Sequence, residues 1–287
     1  MRRKGIFKYP ADVWPVSVIA VVVALTFVPY FVSMPLWALA AWWLFMVWAR
    51  SFGPYAQHNH AHLPAFENGV LNRVYDALLT QTTGYPTALW ELHHNRGHHR
   101  NFLTPEKDVA TVLDLKTGRV VSQWWYALRG NLTIVRDSLR IDADERAQGR
   151  KSLRNKLIAE FAVQTVITAA LLVWNPWLTI AFFIVPNALM SWFIWWESYP
   201  HHLHVPGTSV YDASVTVTGK WFNILNFNIG HHTAHHEKPT LHWSLLPERT
   251  EKIRANVPDV CFRPDTGPGL LKEAAAPQVL RTGTDPA

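Results

Sequence analysis

Two long stretches of this chain carry no charged residue, Val13–Ala49 with 37 residues and Phe161–Trp196 with 36. Each is nearly twice the ~20 residues that one helix needs to cross a bilayer. Helix-stopping residues interrupt both near the middle, Pro29, Ser33 and Pro35 in the first and Asn175 with Pro176 in the second. The pattern predicts two helical hairpins, with spans at about 13–32, 36–50, 157–174 and 177–197. Residues 51–156 are far too long for a simple connection and hold polar, tryptophan-punctuated segments such as Val120–Leu139. They predict helices lying along or beneath a membrane surface. The expected fold is an all-α integral membrane protein, four transmembrane helices in two hairpins with a helical cytoplasmic cap. A single domain is expected over 1–265, followed by a disordered tail over 266–287 that is rich in Gly, Ala and Pro.

Composition agrees with partial burial in lipid: 49% of residues are hydrophobic and 15 are tryptophan. Trp14, Trp48, Trp195 and Trp196 fall near one predicted boundary and Trp37, Trp174 and Trp177 near the other, as an aromatic belt requires. Trp42 and Trp43 lie deeper, where packing between helices is expected. The first apolar run is too long for a signal peptide and reads as a retained span.

Charge orients the hairpins. The loops Val32–Pro35 and Trp174–Trp177 hold none of the 27 Lys and Arg residues, while Arg2, Arg3, Lys4, Lys8 and Arg50 lie on the other side. By the positive-inside rule both termini, 51–156 and everything after 197 are expected in the cytoplasm. The run Arg136, Arg140, Arg146, Arg150, Lys151, Arg154 and Lys156 suits topology and anionic lipid better than nucleic acid.

Candidate chemistry sits in the 15 histidines, which form four tight clusters at 58–62, 93–99, 201–204 and 231–242. Imidazole is the commonest protein metal ligand, and residues three or four apart on a helix share a face. His58 with His62, His94 with His98, and His232 with His235 and His236 are such pairs. On an ideal α-helix His99 stands about 140° round from His94, so it should serve a second ion or sit where the helix ends. His60, His93, His204 and His242 are expected in other roles. Cys261 is the only cysteine, which excludes thiolate iron–sulfur clusters and intramolecular disulfides.

The clusters read HNHAH at 58–62, HNRGHH at 94–99 and HTAHH at 232–236. In this order and spacing the chain resembles the membrane fatty acid desaturase and hydroxylase superfamily, with its three histidine boxes. The resemblance runs from about Val13 to Pro247. It implies two iron ions that bind and reduce O2, held by His58, His62, His94, His98, His99, His201, His232, His235 and His236. His202 is the alternative to His201, because Pro200 disturbs the helical phase. Glu197 stands four residues before His201 where the family has Asn. Glu91, Asp108 and Asn228 lie beside boxes and are expected to orient imidazole N–H groups.

The implied reaction is O2-dependent oxidation of an unactivated C–H bond of a fatty acyl chain, desaturation first. Lipid hydroxylation, ketone formation and alkene-forming decarboxylation are the alternatives on the same boxes, and a single-zinc membrane hydrolase is a remote one. No dinucleotide fingerprint appears, so a separate electron donor such as ferredoxin with its reductase is expected, and the net charge of +6 suits an acidic partner.

Overall fold

The structure, a computed structural model, describes residues 5–203 and 205–264. His204, the 266–287 tail and Arg2–Lys4 lie outside the described residues. Among the described residues, regular secondary structure is helical apart from two two-residue strands. Contacts divide the chain into two compact units, one of Met1–Leu92 with Ser138–Ile194, the other of His93–Asp137 with Trp195–Ala287.

The first unit begins with α1 (Pro10–Phe31), α2 (Leu36–Arg50), α3 (Phe52–His62) and α4 (Gly69–Thr83). A π-helix (Glu91–His98) leads out of it into the second unit, and α5 (Gln123–Ala147) returns. Two apolar helices complete the first unit, α6 (Arg154–Trp174) and most of α7 (Pro176–His202).

Among the described residues, three helices are long and apolar enough to cross a membrane: α1, α6 and α7. The fourth expected span, α2, has 15 residues, about 22 Å of helix against a hydrocarbon core about 30 Å thick. Its C-terminal end is not a free aqueous end. Arg50 is buried and donates to Gln81 O (2.6 Å), Phe182 O (2.7 Å) and Asn187 Oδ1 (2.7 Å), so this cation marks a packed junction between helices. Only Ser51 separates α2 from α3.

Side-chain caps and close approaches set the remaining ends. Asn68 Oδ1 accepts from the Val70 and Leu71 amides at the start of α4. Gly84 closes α4 at φ 76°, and a Cβ there would meet Asn187 O at 2.7 Å, so backbone passes backbone without room for a side chain. Val22, Met46, Ala49, Leu171, Phe182 and Phe183 form the apolar centre of this unit. Trp42 and Trp43 pack against it as expected, Trp43 Nε1 donating to Ala181 O at 2.7 Å.

The second unit contains α8 (Lys220–Leu225), α9 (His232–Glu237) and α10 (Leu246–Ile253), with β1 (Thr216–Val217) paired parallel to β2 (Phe262–Arg263). Ala234, Leu246, Ile253, Val257 and Cys261 bury one side of α9 and α10. Trp14, Trp37, Trp48, Trp174 and Trp177 are exposed on their helices, as an interfacial belt requires. Trp195 departs from the expected belt. It is buried against Gly130, where a Cβ would meet the indole at 2.2 Å, and the His93 ring stands edge-on to it at 4.9 Å.

Candidate metal centre

In the first unit, α3 places His58 and His62 one turn apart, their ring centroids 4.9 Å from each other. The helix is seated closely on α4, since a Cβ on Gly53 would meet Thr82 Oγ1 at 2.6 Å, and Gln57 Nε2 donates to Tyr85 O at 2.7 Å. His60 faces another way. Its Nδ1 accepts from the Ala65 amide (3.1 Å), which leaves Nε2–H for Asp76, 3.3 Å away. Burial alone would raise the Asp76 carboxyl, but His60 and Lys156 hold it below its ordinary value. Glu91, expected to orient an imidazole, pairs instead with Lys156.

The second unit gathers most of the imidazoles. His94, His99 and His235 form one set, with His99 Nε2 3.0 Å from both His94 Nε2 and His235 Nε2. His98, His202 and His236 form another, their candidate ligand atoms within 4.8 Å of one another. His232 Nε2 lies 3.2 Å from Nε2 of both His202 and His236. The sets adjoin, the rings of His99 and His236 stacking at 4.3 Å.

Two local backbone features produce this sorting. The π-helix bonds His99 N–H to His94 O at 2.9 Å, an i to i+5 link that brings those two rings together at the helix end. His98 therefore joins the other set, the reverse of α-helical phasing, which pairs His94 with His98. On α9, His235 and His236 are neighbours about 100° apart, so each reaches a different set. Thr233 anchors the opposite side of α9, donating to Ser214 O and accepting from Thr216 Oγ1. Phe227 and Asn228 carry positive φ in the turn that precedes it.

Hydrogen bonding decides what the second set can hold. His98 Nδ1–H donates to Asp108 Oδ1 at 2.9 Å, and His202 Nδ1–H donates to the Ala213 carbonyl at 3.0 Å. A neutral imidazole has one N–H, so Nε2 of each ring is a lone pair. In the neutral rings these two lone pairs face each other across 3.1 Å. That separation would suit one cation between them, because two imidazoles at about 2.1 Å from one ion and roughly at right angles stand about 3 Å apart.

Burial favours the same conclusion. His232 and His236 are held well below the ordinary imidazole value, first by burial and then by neighbouring imidazoles, so they stay neutral and able to bind metal. Burial would raise the Asp108 carboxyl, yet His98 and the Ala110 amide keep it ionised.

The remaining candidates lie elsewhere. The His201 ring lies 4.4 Å from that of His232, and its Nδ1 has no hydrogen-bond partner among the described residues. Glu197 is half-buried near the end of α7. Asn228 Nδ2 donates to Trp243 O, and its carbonyl accepts from His231 N–H, so it shapes the turn before the third box. His93 packs on Trp195, and His242 Nδ1 caps a turn by accepting from the Ser244 amide. His202 is the residue that sequence reasoning set second. Its signal was Pro200, which here opens a 3₁₀ turn over Tyr199–His202.

Residues 34–265 match the family model described as fatty acid desaturase. The chain belongs to the fatty acid desaturase family. No curated protein matches the sequence. Family membership makes this desaturase-family chain an oxidoreductase with a lipid substrate and a membrane setting, and the three apolar helices agree. Its imidazole sets suit the metal cofactor that the family uses.

Proposed function

We propose that the chain is an O2-dependent non-haem diiron enzyme that oxidises an unactivated C–H bond of a fatty acyl chain by desaturation. The observation that supports it is the pair of adjoining imidazole sets, with the Nε2 lone pairs of His98 and His202 opposed at 3.1 Å. Imidazole with open coordination positions suits iron, and all-nitrogen sets without cysteine disfavour a thiolate-held metal.

In this reading His94, His99 and His235 hold one ion and His98, His202, His232 and His236 the other. His58 and His62 complete the ligand complement, as the first box does in the family. His202 takes the ligand role first given to His201. Bound iron supplies the activation of O2 that lets a C–H bond be broken. The chain's own residues do the rest. Asp108 fixes the His98 tautomer and plane, the Ala213 carbonyl does so for His202, and buried surroundings keep His232 and His236 neutral. The acyl chain lies in an apolar, water-poor passage that presents one stretch of its carbons to the metals. Electrons come from a separate acidic donor, and the metal centre faces the cytoplasm.

Feeding isotope-labelled fatty acids to cells that express the chain tests this reading. Loss of two hydrogens from the product supports desaturation. Gain of oxygen or loss of the carboxyl carbon assigns hydroxylation or decarboxylation instead. O2-independent turnover with one zinc per chain overturns the proposal.

A further inference from the structure

Within the first unit, α4 and α6 leave a cavity of about 450 Å³ between them. Residues three and four apart share a helix face. Ala77 of α4 with Ala159 and Val163 of α6 thus give the cavity apolar walls, while Gln81, Glu160 and Gln164 supply its polar lining. A volume of this order and apolar walls with a few polar groups are the usual make-up of a small-molecule site.

Two of the polar groups are only half used. Glu160 is 8% exposed and Gln81 6%. Glu160 Oε2 accepts from the Ala88 amide at 2.8 Å, and Gln81 Nε2 donates to Gln164 Oε1. Their other oxygens, Glu160 Oε1 and Gln81 Oε1, are buried with no hydrogen-bond partner among the described residues. Buried acceptors are nearly always paired, so a cavity with two unmet acceptors in its lining is made for a ligand that brings donors.

Charge narrows the kind of donor. Lys156 Nζ and Arg73 Nη1 stand 3.6 and 3.7 Å from Glu160 Oε1, too far to hydrogen-bond but close enough to repel an ammonium placed there. A carboxylate or phosphate gains nothing at either oxygen, and both cations are already engaged, Lys156 with Asp76 (3.3 Å) and Glu91, Arg73 with Asp76 (3.4 Å). Uncharged hydroxyls remain. Glu160 and Gln164 are about 6 Å apart along α6, and Gln81 is bonded to Gln164, so two acceptors at this spacing suit a head with more than one hydroxyl. Ala159 and Val163 are exposed at the cavity edge, which gives an alkyl chain a way out along α6. We infer that this cavity binds the polyol head of an uncharged amphiphile of the monoacylglycerol class, whose hydroxyls donate to Glu160 Oε1 and Gln81 Oε1.

Photolabelling of the full-length protein in nanodiscs tests the assignment, with a 1-monoacylglycerol that carries a diazirine in its chain and with labelled peptides mapped by mass spectrometry. Labels should fall on the facing segments of α4 and α6. 1-Monolauroylglycerol should suppress them at about fivefold lower concentration than dodecanol, dodecanoate or dodecylamine, the worth of roughly one hydrogen bond. Ala159→Leu, at an exposed position, fills the cavity edge and should remove the label without moving the thermal midpoint. Gln81→Met removes one acceptor and should weaken the suppression by about the same factor of five. The readout needs neither iron nor turnover, so it stands apart from the proposed reaction. Equal suppression by any of the other three amphiphiles, or suppression unchanged in Gln81→Met, overturns the assignment of the head. Labelling that survives Ala159→Leu makes the contact one of general lipid and overturns the site.

Discussion

Asp108 Oδ1 accepts from His98 Nδ1–H at 2.9 Å and also from the Ala110 amide at 2.9 Å, so the carboxylate is itself held while it holds the ring. That link converts a freely turning imidazole into one with a fixed tautomer whose Nε2 lone pair points at His202. Removing an acceptor of this kind from behind a metal-bound histidine typically costs 10–100-fold in metal affinity. Asp108→Ala is predicted to weaken binding at the second set by about that range, measured by iron competition against a chelator, with the helical circular dichroism unchanged.

His202 and His201 separate cleanly by substitution. His202→Ala removes a member of the second set, and the iron content of the purified chain should fall from near two ions towards one. His201→Ala should leave iron content near that of the parent. The reverse pattern, read by metal analysis, returns the ligand role to His201.

Arg50 stabilises the first unit through three acceptors on other helices, at 2.6–2.7 Å. Arg50→Met would leave buried carbonyls unpaired, and hydrogen bonds to charged groups contribute about 1.5–3 kcal/mol each. Thermal unfolding in detergent should show a loss of about 4.5 kcal/mol or more, while Lys116→Met, in an exposed loop, should leave the midpoint unchanged.

Acid should destabilise the protein through buried histidine. Burial pushes His93 down to about 4, whereas an unfolded histidine titrates near 6.5. The unfolded chain therefore takes up a proton that the folded chain refuses. Stability from this residue is complete above pH 6.5, falls as pH drops towards 4 and levels off below it. His93→Phe keeps an aromatic ring beside Trp195, and it should flatten the decline in unfolding midpoint between pH 6.5 and 4 relative to the parent.

Much of this arrangement was legible in the sequence. The uncharged windows located α1, α6 and α7 because a span's composition is set by lipid, whatever its neighbours. Histidine spacing located the boxes because a ligand pair must share a helix face. Phase was harder to foresee. The π-helix over Glu91–His98 couples His94 to His99 through an i to i+5 bond that no α-helical wheel anticipates. The turn at Pro200 likewise brings His202 into the second set by a local change of winding. Trp195 looked interfacial by position, yet Gly130 opens a slot that only the folded contact reveals. Glu91 sits beside a box in the chain but faces Lys156, since neighbours in sequence need not be neighbours in space.

Anaerobic titration of ferrous iron into metal-free protein in nanodiscs, followed by Mössbauer spectroscopy, addresses the dimetal centre most directly. Two adjoining imidazole sets predict saturation at two irons per chain, with the pair coupled magnetically after oxidation. Saturation at one ion, or two irons without coupling, would contradict it.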